Sequence, residues 1–202
     1  MTTLFLIRHG DNAFVGKKLA GWTPGVHLND KGRRQAEDLA VRLALVRFAA
    51  IYSSPLERTL ETAQPLARAQ GLRVRRRDNL GEVRYGDWTG RSLRSLSRTK
   101  LWRVVQFNPS NMRFPNGEAL RETQLRAVGE LDTICRDHPK GAVALFSHGD
   151  LIRLCVAHYL GLPMDLFQRV VISPASVTVI HASPGLPRLV RLNDTGPFEA
   201  AK

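Results

Sequence analysis

Leu4-Phe5-Leu6-Ile7-Arg8-His9-Gly10-Asp11 is the stretch on which the fold turns. Four consecutive apolar residues make a strand that is buried on both faces, the kind found inside parallel sheets. The run then stops on an arginine, a histidine and a glycine. A strand from about Thr3 to Arg8 therefore carries a fixed cation and an imidazole to its carboxyl end, where open α/β sheets place their ligands. The pattern returns near the other end of the chain, where Ala142-Val143-Ala144-Leu145-Phe146 runs into Ser147-His148-Gly149. Two histidines, each closing a buried strand and each followed by glycine, predict one site assembled from both ends of the sequence. A phosphate is the natural guest for an imidazole beside a guanidinium.

Between these runs strand and helix signals alternate, which predicts an α/β layer fold. The segment from Asp11 to Leu28 holds Gly16, Gly21, Pro24 and Gly25 and reads as a long functional loop. Asn29 or Asp30 caps a helix with the apolar stripe Ala36, Leu39, Ala40, Leu43 and Val46. A strand over Ala49 to Ser53 leads to a second helix. There Ser54 is read as the cap, Pro55 as the first helical residue and Glu57 as the partner in a capping box. Leu56, Leu60, Ala63, Leu66 and Ala67 form its apolar face, Pro65 is expected to kink it, and Gly71 ends it. Arg73 to Arg77 reads as a short exposed strand. Asn79 to Gly90 is irregular. Arg91 to Val105 is expected to be one amphipathic helix with Leu93, Leu96, Leu101 and Trp102 inward. Pro109 to Gly117 reads as a loop. Helices over Glu118 to Asp137 and Asp150 to Leu160, and strands over Ser176 to Ile180 and Arg188 to Leu192, complete the pattern, with the tail from Asn193 expected to fray.

The 202 residues suffice for one domain over 1–202 with a full core. No apolar run approaches the roughly 18 residues of a membrane span, and the first residues carry no signal-peptide pattern, so a cytoplasmic protein is expected. Cys135 and Cys155 lie in apolar helical patterns and read as free thiols of a reducing compartment. The formal net charge of +12 draws anions: phosphorylated metabolites, nucleic acid or acidic surfaces. Its clusters, Arg73 to Arg77 and Arg91 to Arg103, read as solvated surface, and no aromatic residues alternate with the first as a single-strand binding platform needs.

Phosphoryl transfer needs an in-line nucleophile, fixed donors around the equatorial oxygens and a proton for the leaving alkoxide. His9 and His148 are the imidazoles, and arginines beside a histidine keep it neutral for attack. Arg8 adjoins His9. Arg58, early in the helix that follows a strand end, faces the same sheet edge and can fork onto phosphate oxygens. On a surface it would instead pair with Glu57 or Glu61. The helix starting near Gly149 adds its positive dipole end. Glu82 is a carboxyl group on a loop; beside a phosphate its pKa rises, which suits a general acid. Its ordinary alternative is a pair with Arg84.

With these residues in hand the chain resembles the histidine phosphatase superfamily, also called phosphoglycerate mutase-like. Arg8-His9-Gly10 matches the name-giving motif, and Ser53 to Ala63 is similar to the second signature. Leu80 to Gly90 resembles the acid loop, Phe114 to Glu118 a further element, and Ser147-His148-Gly149-Asp150 the second histidine motif. The resemblance spans roughly residues 3 to 181. It implies an α/β protein: a three-layer α/β/α sandwich with a mostly parallel central sheet. It also implies a phosphohistidine on His9, a phosphate pocket of Arg8, Arg58 and His148, Glu82 as acid and then activator of water, and neither metal nor cofactor. Two positions depart from the family pattern: Asn12 stands where Thr or Ser is common, and Val15 where an asparagine contacts phosphate. Asn12, Gly21 and Trp22 are substrate-contact candidates. His27, His138, His158 and His181 read as structural.

The leading expectation is thus a phosphomonoesterase acting on a small phosphorylated metabolite. Sugar phosphates, phosphoglycerate-like acids and nucleotide-derived phosphates all fit a cationic entrance. The alternative within the superfamily is a cofactor-dependent phosphoglycerate mutase, disfavoured by the short span from Gly90 to Phe114. The alternative of another class is a non-catalytic protein that binds nucleic acid or anions through its basic surface. Nucleic acid and membrane partners are not expected, and a homo-oligomer is left open.

Overall fold

The computed structural model describes residues 1–183 and 185–196. Twelve regular elements follow one another: β1 (Thr2–Arg8), α1 (Asp30–Arg42), β2 (Phe48–Ser53), α2 (Glu57–Gln70), β3 (Val74–Arg76), α3 (Leu93–Leu96), α4 (Lys100–Phe107), α5 (Leu120–Asp137), β4 (Gly141–Ser147), α6 (Gly149–Tyr159), β5 (Val177–Ala182) and β6 (Arg188–Asp194). The strands form one sheet in the order β3-β2-β4-β1-β5-β6. Pairs β3–β2, β2–β4 and β4–β1 are parallel, whereas β1–β5 and β5–β6 are antiparallel.

Because side chains alternate along a strand, the apolar runs supply both faces of the sheet at once. Leu4, Leu6, Val143 and Leu145 point to one face, where Leu131 and Ile134 of α5 and Leu151 and Cys155 of α6 cover them. Phe5, Ile7, Ala144 and Phe146 point to the other, against Leu39 of α1, Leu43 at its C-terminal cap, and Ala63 and Leu66 of α2. The result is three layers, helices on both sides of a mostly parallel sheet. A third apolar cluster, with Tyr85, Trp88, Val105 and Phe114, lies in the segment that roofs one end of the sheet.

The ends of the elements follow local chemistry. Asn29 caps α1, its side chain accepting from Gly32 N. Gly71 ends α2 in the left-handed region, φ 65°. Pro65 lies inside α2 without ending it.

Several expectations are corrected. Ser54 does not cap α2: the helix begins at Glu57 behind Leu56, with no side-chain cap. The Ser54 hydroxyl is engaged by His148 Nε2 at 2.9 Å instead, and the Glu57 carboxylate accepts from Gly25 N. The single helix over 91–105 is two, α3 and α4, separated by a turn. That break rotates Leu101 outward and turns Val105 inward. The chain does not fray at Asn193. The Asn193 side chain accepts from Ser173 N and Asp194 pairs with Arg42, so β6 continues through both; 197–202 lie outside the described residues. Cys135 and Cys155 are both free, with Cys155 buried and Cys135 half-buried. Among the described residues no helix is long and apolar enough to cross a membrane.

Candidate active site

Strand register brings the two histidines together. In the parallel pair β1–β4, Arg8 stands opposite Ser147, so His9 and His148 leave the same sheet edge side by side. Their ring centroids are 5.3 Å apart. In β2–β4, Ser53 stands opposite Phe146, which sets the start of α2, and hence Arg58, at that edge too. The chain leaves β1 toward α1 on one face and leaves β4 toward α6 on the other. The edge between these strands is therefore the crevice that such sheets use for ligands.

The nucleophile loop is held tightly. Gly10 N donates to Thr62 Oγ1 at 2.9 Å. A Cβ on Gly10 would lie 2.7 Å from the Gly32 carbonyl, and one on Gly32 would lie 2.1 Å from that of Asp11. Only glycines allow the first turn of α1 to press this closely against the loop.

The hydrogen bonds assign the imidazole tautomers. His9 Nδ1 lies 2.7 Å from the Gly10 carbonyl, which can only accept, so Nδ1 carries the proton and Nε2 keeps its lone pair. The amide nitrogen of Asn12 is 3.5 Å from the same Nδ1; two donors at that distance make a contact, not a bond. His148 Nε2 meets Ser54 Oγ, and its Nδ1 faces Arg58 Nη2 at 3.2 Å. A guanidinium only donates, so Nδ1 of His148 accepts and Nε2 is its N–H. Burial, then Arg58, then Arg8 hold His9 well below the ordinary histidine range. Burial and Arg58 do the same to His148. Both rings are neutral at neutral pH.

Arg58 is fully buried and Arg8 lies beside it. Arg58 Nη2 donates to Gly21 O at 2.8 Å, and Arg8 Nη1 donates to Ile172 O at 2.6 Å. Arg8 Nε and Arg58 Nε and Nη1 have no hydrogen-bond partner. Burying guanidinium nitrogens without acceptors is costly; three in one place mark a cradle for an anion. The surface alternative for Arg58 is excluded by its burial: Glu57 accepts from Gly25 N, and Glu61 accepts from Leu28 N and pairs with His27.

Glu82 sits across the cradle. Its Oε1 accepts from Val83 N at 3.0 Å, and its Oε2 lies 3.9 Å from His148 Nδ1. That separation is too long for a hydrogen bond, and with His148 neutral it is no ion pair. Burial first, and Asp150 second, push the Glu82 carboxyl up to about 7. It does not pair with Arg84, whose guanidinium lies over the Trp22 ring at 4.0 Å.

Sequence reasoning did not find the groups that hold this acid. Arg126 donates to the carbonyls of Asn79, Gly81 and Glu82 and is itself fixed by Glu118 at 2.7 Å. Trp22 Nε1 also donates to Glu82 O, at 2.7 Å. Gly21 and Trp22 thus stand behind Arg58 and the acid loop, outside the cavity wall, whereas Asn12 lines it beside His9. Tyr85 OH donates to Asp150 Oδ2 at 2.8 Å, and Arg153 pairs with Asp150 Oδ1; these three also reach the cavity. Tyr85 and Asp150 stand within the quoted motifs, but their link runs between a loop and α6 and leaves no sequence signal.

The cavity over this cradle has a volume of about 350 Å³, within the range of small-molecule sites. Among the described residues no group of three or more His, Cys, Asp or Glu is placed to hold a metal ion. The basic cluster on β3 is partly committed within the fold. The Arg75 and Arg77 guanidinium groups lie over the Tyr52 ring, and Arg77 pairs with Glu130.

A family model described as histidine phosphatase superfamily (branch 1) matches residues 4–195. The chain belongs to the histidine phosphatase superfamily. It is 30% identical over 199 residues to phosphoserine phosphatase 1 of Hydrogenobacter thermophilus, covering 96% of this chain and 93% of that protein. It is also 30% identical over 189 residues to "Probable phosphoglycerate mutase GpmB" of Escherichia coli O1:K1, covering 92% of this chain and 87% of that one. Among solved structures, YhfR of Bacillus stearothermophilus superposes with a TM-score of 0.91 at 28% identity, over 98% of this chain and 100% of that chain. As a histidine phosphatase superfamily protein, the chain has phosphatase and mutase relatives along almost its whole length.

Proposed function

We propose that the protein is a metal-independent phosphomonoesterase that works through a phosphohistidine on His9. The observation that carries this reading is the free Nε2 of His9 set beside three unpartnered guanidinium nitrogens of Arg8 and Arg58. The arginines take the equatorial phosphoryl oxygens, so the charge work that a metal ion does in other phosphatases falls to them. Nε2 of His9 attacks phosphorus, the P–N bond forms and the P–O bond to the alcohol breaks. The proton on Glu82 goes to the departing oxygen. Water then attacks the phosphohistidine, the P–N bond breaks, and the Glu82 carboxylate takes a proton from that water. Inorganic phosphate leaves and Glu82 is again an acid. His148 stays neutral: its Nδ1 accepts from Arg58 Nη2 and its Nε2–H meets Ser54 Oγ, so the ring holds the Arg58 fork in place beside the phosphate. A reducing cytosol suits the two free cysteines.

The mutase alternative has one observation in its favour, the 30% identity to GpmB. Against it stands the short roof, in which the short helices α3 and α4 and a single helical turn at Pro109–Asn111 separate the acid loop from the element at Phe114. The deciding assay supplies 3-phosphoglycerate with and without 2,3-bisphosphoglycerate. Release of inorganic phosphate, faster than isomerisation in both cases, is the expected outcome. Isomerisation outpacing release makes the protein a mutase.

A further inference from the structure

Beyond the phosphate cradle, the cavity has an apolar wall, with Asn12, Lys18 and Gln106 as polar side chains on its lining. Its wall is built by Phe14, Val15 and Leu19 of the long loop on one side and by Trp88, Trp102 and Val105 on the other. The indoles of Trp88 and Trp102 are stacked, 6.3 Å between ring centroids. The Gln168 side chain, which also reaches the cavity, already donates to Val105 O at 3.1 Å. Two further cations reach the lining. Arg153 is engaged by Asp150 and by the Val170 carbonyl at 2.9 Å, and Lys18 lies over the Phe14 ring, exposed. Among the described residues, the buried guanidinium nitrogens without a partner all belong to Arg8 and Arg58. Val15, at a position where the family resemblance leads one to expect a polar contact, adds an apolar side chain to the loop.

We infer that the substrate is the phosphate monoester of a compact apolar or aromatic alcohol. Burying apolar surface against this wall stabilises such an ester, whereas hydroxyls or a carboxylate set against these apolar side chains would lose water without replacement. The inference rests on the phosphomonoesterase reading of the same site.

The test compares kcat/KM for benzyl phosphate with that for 3-phosphoglycerate and O-phosphoserine. All three release alkoxides of similar basicity, so the ratio reports the wall and not the ease of bond breaking. A preference for benzyl phosphate of at least about tenfold is expected. Val15→Asn and Trp102→Ala are each expected to cut that preference by roughly three- to tenfold. Equal or faster turnover of 3-phosphoglycerate or O-phosphoserine overturns the substrate class and leaves the phosphatase reading standing. A preference that neither variant changes also overturns it. Absence of phosphate release from all three esters sinks the phosphatase reading and this inference with it.

Discussion

Replacing His9 with alanine is expected to lower kcat for any phosphomonoester by about 10,000-fold or more while the protein remains folded. The size of the effect follows from the part His9 plays: without its Nε2 the two-step route is gone, and water must attack phosphorus unaided. The fold survives because the His9 side chain bonds only to its neighbour's carbonyl, and the loop is anchored independently through Gly10 N and Thr62. Phosphate binding should survive too, since the unpartnered donors belong to Arg8 and Arg58. Steady-state kinetics together with phosphate inhibition or calorimetry would check both halves. A His9→Ala protein that retains even a few per cent of wild-type turnover would place the nucleophile elsewhere.

Glu82→Gln should produce the second largest change, and in a way that depends on the leaving group. Esters of poor leaving groups such as benzyl alcohol are expected to lose roughly 100- to 10,000-fold in kcat/KM, the range of a removed general acid. p-Nitrophenyl phosphate, whose phenolate departs without a proton, should lose far less. With the Glu82 carboxyl at about 7, wild-type kcat/KM for benzyl phosphate falls as pH rises through that value, because the active form is the protonated one. The Gln variant lacks that limb. His9, held well below the ordinary histidine range, is already neutral there and sets no limb near pH 7.

The same shift makes a prediction about stability. An acid whose folded pKa lies above its unfolded one binds more protons folded than unfolded between the two values. Stability therefore declines as pH rises from about 4.5 through about 7. Glu82→Gln removes that penalty. The variant should match the wild type near pH 4 and exceed it at pH 8, by an amount on the order of 3 kcal/mol. Thermal melts across this range would show the gap opening with pH. A constant gap would mean that the buried carboxyl does not titrate there.

What was legible in the sequence is what two apolar runs impose. Leu4 to Ile7 and Ala142 to Phe146 had to be strands buried on both faces, and the residues that end them had to stand at a carboxyl edge. His9, His148 and Arg8 follow from that alone. Arg58 was found through a reading of its helix start that was partly mistaken: Ser54 binds the ring of His148 and not the helix end. The roof was less legible, because the apolar spacing over residues 91–105 continues smoothly across the turn between α3 and α4 and nothing in it shows that Leu101 faces water. Least legible were the links made across the chain. Arg126 collects three carbonyls of the acid loop from a helix turn with no motif. Trp22, read as a substrate-contact candidate, braces the Glu82 carbonyl from behind. Each depends on how two distant segments dock, which no local pattern encodes.

The central claim is a covalent one, so the direct measurement is to trap the intermediate. Wild-type protein is mixed with benzyl phosphate, quenched within milliseconds in alkali and digested, and the peptides are weighed for one added phosphoryl group. A label is expected on the peptide holding His9, lost in acid and absent from His9→Ala. Steady release of phosphate with no labelled peptide at any time, or a label on another residue, would contradict it.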